Sequence, residues 1–177
     1  MARVLITEPL APSANAALSA AGHEVVERVG LSPEELLDAV KGFHALIVRS
    51  ATKVTAEVLA AADELIVVGR AGVGIDNIDL AAATEKGVMV ANAPFSIGVS
   101  TAEHAMALLL AQARNIPQAH MALVDGRWEK SKWEGVELHS KVLGLLGLGR
   151  IGSLVAQRAN AFGMRVVAYD PWTSPDR

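Results

Sequence analysis

Short apolar runs recur along the first half of the chain at Val4 to Thr7, Glu24 to Glu27, Ala45 to Val48, Ile66 to Val68 and Val88 to Ala91, each separated from the next by a segment long enough for a helix. Runs of this length, rich in valine and isoleucine, predict strands. Strands that alternate with helices, instead of following one another through tight turns, predict a parallel sheet with helices on both faces. Several helix starts carry their own signals. Ser32-Pro33-Glu34-Glu35 combines an N-cap serine, a proline at the first helical position and a glutamate three residues after the cap; Thr55 and Asp79 are simpler caps.

The pattern changes near Ala93-Pro94. Ser100-Thr101-Ala102-Glu103 reads as another capping box, opening a long apolar helix through Met106, Leu108, Leu109 and Leu110 to Arg114, before Pro117 restarts the pattern. Gln118 to Asp125 is then predicted helical and Gly126 to Ser140 a loop. The boundary between two domains falls around residues 92 to 100, which divides the chain into 1–96 and 97–177.

From Lys141 an apolar strand runs into Gly147-Leu148-Gly149-Arg150-Ile151-Gly152, followed by a helix over roughly Ile151 to Phe162 and a second strand ending in Asp170. This order is the βαβ fingerprint of dinucleotide binding. Gly147 permits the turn off the strand, Gly149 leaves room for a pyrophosphate against the backbone, and Gly152 lets the helix pack closely. The helix N-terminus offers N–H groups and a positive dipole end to phosphate. Asp170, 18 residues after Gly152, can accept hydrogen bonds from ribose hydroxyls and would repel a 2′-phosphate, which favours NAD over NADP.

Composition narrows the function classes. With 177 residues, 51% of them hydrophobic, there is ample material for a core, and a net charge of −3 gives no basic surplus for nucleic acid. The absence of cysteine excludes disulfides, thiol catalysis and zinc–thiolate sites. The apolar start is too short for a signal peptide and no stretch approaches a membrane span, so a cytoplasmic setting is the expectation. His23, His44, His120 and His139 lack ligand or triad spacing and are expected at the surface or in loops. His104 follows Glu103 directly, but neighbours on a helix point about 100° apart and do not form a base with its orienting acid.

Taken together, Val48-Arg49-Ser50-Ala51-Thr52, Val68-Gly69-Arg70-Ala71-Gly72-Val73-Gly74-Ile75-Asp76-Asn77-Ile78-Asp79, Asn92-Ala93-Pro94, Ser100-Thr101-Ala102-Glu103-His104, the glycine fingerprint and Tyr169-Asp170-Pro171 resemble the D-isomer-specific 2-hydroxyacid dehydrogenases over essentially the whole chain, and within them the branch that oxidises 3-phospho-D-glycerate. The resemblance implies an α/β fold, with a flavodoxin-like parallel-sheet substrate domain followed by the first part of a Rossmann NAD-binding domain. It places Arg49, Ser50, Gly72, Val73 and Gly74 at the substrate, Val73 also beside the nicotinamide, Arg150 and Ile151 at the pyrophosphate and Asp170 at the ribose. It implies NAD-dependent oxidation of 3-phospho-D-glycerate to 3-phosphohydroxypyruvate, the first step of serine biosynthesis. The alternatives are glyoxylate, hydroxypyruvate or another 2-hydroxy acid as substrate, or a non-catalytic, corepressor-like NAD-binding module.

Two departures from the family pattern stand out. Ile97 occupies a position where the family often has an asparagine near the substrate, and an apolar side chain cannot replace an amide's hydrogen bonds. The family's catalytic arginine, glutamate and histidine, and the helix that returns to complete the first domain, would all lie beyond Arg177. The expectation is therefore an incomplete piece of a dehydrogenase with no catalytic residue of its own, exposing apolar surface on its second sheet. The family also implies a homo-oligomer, with contacts along Thr101 to Arg114, Ile116-Pro117 and Trp128 to Trp133.

Overall fold

The structure, a computed structural model, describes residues 1–173. Residues 174–177, the end of the second predicted domain, lie outside the described residues. The chain separates into two compact units, one of residues 1–96 and one beginning at Ile97.

The first unit runs β1 (Arg3–Ile6), α1 (Pro12–Ala20), β2 (Glu24–Glu27), α2 (Pro33–Ala39), β3 (Ala45–Val48), α3 (Ala56–Ala61), β4 (Val67–Arg70), α4 (Leu80–Lys86) and β5 (Met89–Asn92). The five strands are all parallel, in the order β2-β1-β3-β4-β5, the flavodoxin-like order. Register is set by the apolar runs: Leu5 pairs with Val26 on one side and Leu46 on the other, and Leu46 with Val68. Leu5, Leu46, Val48 and Val68 are fully buried against Leu36 and Ala39 of α2, Val58 and Leu59 of α3 and Ala83 of α4. Truncating a side chain such as Leu5 to alanine in this core would cost about 2–5 kcal/mol.

The predicted caps start the helices. Ser32 Oγ accepts from the Glu35 N–H (3.2 Å) while Glu35 Oε2 accepts from the Ser32 N–H (2.8 Å), Thr55 caps the Val58 N–H and Asp79 the Ala82 N–H. The expected cover on both sheet faces is found only in part. α2, α3 and α4 share the core, whereas α1 buries none of its residues, and along β5 Val90 packs on the core while the alternating Met89 is 67% exposed. Pro12-Ser13-Ala14-Asn15-Ala16 offers short side chains that carry little apolar area to a sheet.

The second unit contains α5 (Gly98–Ala113), α6 (Ile116–Val124), a single 3₁₀ turn (Lys130–Lys132), β6 (Val142–Leu146), α7 (Arg150–Ala161) and β7 (Arg165–Tyr169). β6 and β7 pair in parallel, with Leu143 opposite Val166. Val155 and Ala159 of α7 pack with Ala102 and Met106 of α5 and with Leu143, Leu145 and Val166 of the sheet. The alternating residues point the other way, so Leu146 is 93% exposed, and Val167 and Tyr169 are exposed beside it. The expected apolar sheet surface is therefore present.

One sequence expectation in this unit is corrected. Ser100 is not an N-cap: α5 begins one turn earlier at Gly98, and the Ser100 hydroxyl donates back to the Ile97 carbonyl (3.1 Å). Nothing in Gly98-Val99 stops the helix from extending toward its N-terminus, and the serine, now inside the first turn, bonds the carbonyl of the N-cap residue Ile97. On the face of α5 toward its own core, Met106 is buried and Leu110 packs partly buried beside it. Apolar side chains that reach solvent include Val99 and Leu108 of α5 and Ile116, Met121, Leu123 and Val124 of α6. Among the described residues no helix is long and apolar enough to cross a membrane.

Candidate functional site

In an open parallel sheet, ligands bind beyond the carboxyl ends of the strands where the strand order reverses. In the first unit that point lies between β1 and β3, and the residues just past their ends are Glu8 and Arg49 to Thr52. Glu8 is half-buried and accepts three backbone hydrogen bonds: Oε1 from the N–H groups of Arg49 (2.8 Å) and Thr52 (2.9 Å), Oε2 from that of Ala51 (3.1 Å). Partial burial pushes the Glu8 carboxyl up, but the amides of Thr52, Ala51 and Arg49 and the Thr52 hydroxyl pull it further down, leaving it below the ordinary carboxylate value. Asn77 holds the same loop from the acceptor side, its amide nitrogen donating to the carbonyls of Arg49 (2.8 Å) and Thr52 (2.7 Å). The predicted Arg49 and Ser50 are both exposed at this edge, and the Arg49 guanidinium makes one long contact, to the Pro9 carbonyl at 3.4 Å.

The predicted Gly72, Val73 and Gly74 form the turn after β4, beside this loop. Their carbonyls are tied down by the end of β5: Ala93 N–H donates to the Gly72 oxygen (2.9 Å) and the Asn92 amide to that of Val73 (2.6 Å). The Gly72 N–H is itself spent on the Arg70 carbonyl (2.8 Å), so among the described residues the turn's amides without a protein acceptor are those of Val73 and Gly74. Arg70, fixed through its Nε to Asn77 (3.0 Å), folds its guanidinium over the turn. A Cβ on Gly72 would stand 2.8 Å from Arg70 Nη1, and one on Gly74 would stand 2.8 Å from Asp76 Oδ1. Either Cβ would displace only the end of a flexible side chain, so the two glycines keep the Arg70 guanidinium and the Asp76 carboxylate close over the turn.

The glycine loop of the second unit assigns each predicted glycine a separate duty. Gly147 sits at φ +99°, a conformation L side chains rarely adopt, and donates its N–H to the Tyr169 carbonyl (2.8 Å). Gly149 has ordinary extended angles (φ −73°, ψ −157°), and a Cβ there would meet nothing within 4 Å, so open space lies over the N-terminus of α7. A Cβ on Gly152 would run into the Gly147 carbonyl; this glycine serves the approach of helix to loop. Asp170 Oδ2 accepts from the Leu148 N–H inside the loop (2.6 Å) and Oδ1 from the Trp172 N–H (2.8 Å), and these bonds, Leu148's foremost, hold its carboxyl below the ordinary range. Arg150 and Ile151 open α7 at the edge of this space.

The family profile described as "D-isomer specific 2-hydroxyacid dehydrogenase, catalytic domain" matches residues 4–168. The chain belongs to this family. As a D-isomer specific 2-hydroxyacid dehydrogenase sequence it is 51% identical over 172 residues to the D-3-phosphoglycerate dehydrogenase of Methanocaldococcus jannaschii, covering 97% of this chain and 33% of that protein. Among solved structures, the TT0316 protein of Thermus thermophilus superposes with a TM-score of 0.91 at 40% identity, covering 98% of this chain and 57% of that one. The cofactor (NAD+)-bound 3-phosphoglycerate dehydrogenase of Entamoeba histolytica superposes with a TM-score of 0.78 at 28% identity, covering 99% and 56%. The chain spans about a third of the length of the curated dehydrogenases it matches.

Among the described residues of the first unit, His23 and His44 stand at the amino ends of β2 and β3, away from the ligand edge of their sheet. His104 is exposed on α5, and its neighbour Glu103 faces Arg158 of α7 (3.4 Å), so the two do not act as a pair. His44 does lie 3.4 Å from Glu64, but at the amino end of β3, opposite the ligand edge, with its Nδ1 accepting the Arg3 N–H (3.1 Å). His23 likewise accepts the Ala2 N–H. The departure at Ile97 is an exposed residue that serves as N-cap of α5. Glu8, Asn77 and Asn92 were missed by sequence reasoning. Their signal was weak: Glu8 and Asn92 are polar residues at the end of an apolar run, compatible with any strand end, and Asn77 lies in a loop seven residues past β4.

Proposed function

We propose that this chain contributes the substrate-anion edge and the adenosine half of the cofactor site to an NAD-dependent enzyme that oxidises 3-phospho-D-glycerate to 3-phosphohydroxypyruvate, the entry to serine biosynthesis. The carrying observation is the glycine loop, where open space at Gly149, the Gly152 approach and the Asp170 carboxylate coincide at the carboxyl ends of β6 and β7. These features suit a dinucleotide: the first-turn N–H groups of α7 would hold the pyrophosphate and Asp170 the ribose hydroxyls. The bound nicotinamide would supply the hydride acceptor.

The residues of this chain bind and orient. Arg49, whose charge no carboxylate neutralises among the described ion pairs, would clamp a carboxylate or phosphate through its planar fork. The N–H groups of Val73 and Gly74 would fix the second anionic group, and Val73 would border the nicotinamide. Proton removal from the substrate hydroxyl is assigned to none of these histidines, because the His44–Glu64 pair lies at the wrong edge and His104 lacks an orienting carboxylate. A cytoplasmic, homo-oligomeric enzyme completes the proposal.

Calorimetric titration of the 177-residue chain with NADH and NADPH tests it. Binding of NADH with at least tenfold preference over NADPH is expected. No heat with either, or equal affinity for both, refutes the dinucleotide reading.

A further inference from the structure

We propose that Glu8 is a positioning residue, occupying the anion nest of the Arg49–Thr52 loop with its own carboxylate so that an incoming substrate anion is directed to the Arg49 side chain and the Val73–Gly74 turn. The inference rests on the substrate reading above and goes beyond it by assigning a residue that touches no substrate.

The geometry carries it. Three N–H groups of a four-residue loop converge on one carboxylate at 2.8, 2.9 and 3.1 Å. Convergent amides of this kind at a strand's carboxyl end are an anion site in their own right. Here the site is already filled from within the chain. Glu8 meets only the backbone of Arg49; the Arg49 guanidinium forms no ion pair with it among the described residues, although the two lie on adjoining strand ends. The cation is therefore held in place without being neutralised. Asn77 clamps the loop's carbonyls and Arg70 together, linking this loop to the Gly72–Gly74 turn. Thr7 adds a hydroxyl contact to Thr52 (3.0 Å) from the buried end of β1. The loop is thus secured through both its donors and its acceptors, while the Arg49 fork and Ser50 stay exposed at its edge.

The sign of the effect separates positioning from plain electrostatics. A carboxylate near an anion site repels the ligand, so removing its charge would tighten binding if charge were all it supplied. Positioning demands the reverse. In a calorimetric titration of the 177-residue chain with 3-phospho-D-glycerate, Glu8→Gln should weaken binding at least tenfold, and Glu8→Asp, which keeps the carboxylate, should restore part of it. Equal or tighter binding by a folded Glu8→Gln protein overturns the inference while leaving the substrate reading intact. Should Glu8→Gln fail to fold, amide resonances of the unmodified chain decide the matter. Added 3-phospho-D-glycerate should move the Val73 and Gly74 signals and leave those of Arg49, Ala51 and Thr52 nearly in place. Large shifts of those three, reporting displacement of Glu8, overturn the proposal. No ligand-induced change anywhere refutes the substrate reading itself, and the positioning role with it.

Discussion

Replacing Gly149 with valine separates ligand binding from folding more cleanly than any other change in the glycine loop. Position 149 has φ −73° and ψ −157°, angles open to every residue, and its Cβ would have no neighbour within 4 Å. The cost to folding is limited to exchanging a tolerated N-cap glycine for a poor one, under about 1 kcal/mol. The valine methyls would instead stand over the first turn of α7, where a pyrophosphate would approach. Losing two charge-assisted hydrogen bonds costs roughly 1.5–3 kcal/mol each, and losing the helix-end electrostatics adds about 0.3–1 kcal/mol. At about 1.4 kcal/mol per factor of ten, the dissociation constant for NADH should rise at least 100-fold. Gly152→Ala is the complement. Its Cβ would meet the Gly147 carbonyl, with the carbonyl carbon at 3.1 Å, and both atoms are backbone that cannot swing aside. Overpacking of this kind costs about 1–3 kcal/mol, a fall in melting temperature of roughly 4–8 °C per kcal/mol for a unit of this size. Calorimetric titration with NADH and thermal melts of both variants make the comparison. A folded Gly149→Val protein that binds NADH unchanged would falsify the dinucleotide reading, and an unaltered melt of Gly152→Ala would refute the packing account.

Further outcomes follow from the same structure. Asn77→Ala removes two donated bonds and one accepted bond that join the loops after β3 and β4; urea unfolding should show a loss of about 1–3 kcal/mol, and an unchanged midpoint would count against the linking role. Asp170 has its carboxyl lowered by the Leu148 and Trp172 amides. The bond to Leu148 is therefore fully in place above the ordinary carboxylate value of about 3.9 and is lost as pH falls through the lowered one. The Leu148 amide resonance should report that transition, and a midpoint at or above the ordinary value would contradict the assignment. Met121→Glu combined with Val124→Glu places charges on the exposed side of α6, and light scattering should show a lower mass than for the parent chain. An unchanged mass speaks against a homo-oligomer formed through this face.

The parts legible in the sequence were those governed by local rules. Strand positions follow from apolar runs such as Val4-Leu5-Ile6, and the starts of α2, α3 and α4 follow from Ser32, Thr55 and Asp79, because a cap is satisfied within three or four residues. The glycine fingerprint is legible for the same reason: its spacing encodes one turn and one helix start. Ser100 misled because capping residues are also tolerated inside a helix when the hydroxyl can reach back to a carbonyl, and only the path of Gly98-Val99 decides between the two. What Met106 and Leu110 pack against was not legible, because an apolar helix face does not state its partner; here it is α7 and the short sheet.

By itself, then, the amino-acid order determined the alternating parallel architecture, the glycine loop and the family, since each depends on periodicity or on contacts close in sequence. Only the tertiary structure decided that β1 lies between β2 and β3, and so brought Glu8 to the amides of Arg49, Ala51 and Thr52, more than forty residues away. It likewise decided that Asn77 and Asn92 brace the turns after β3 and β4, and that Asp170 closes on Leu148. The physical reason is common to all of them: a backbone amide carries no side-chain signature, so its partner can be known only once folding has placed the two together.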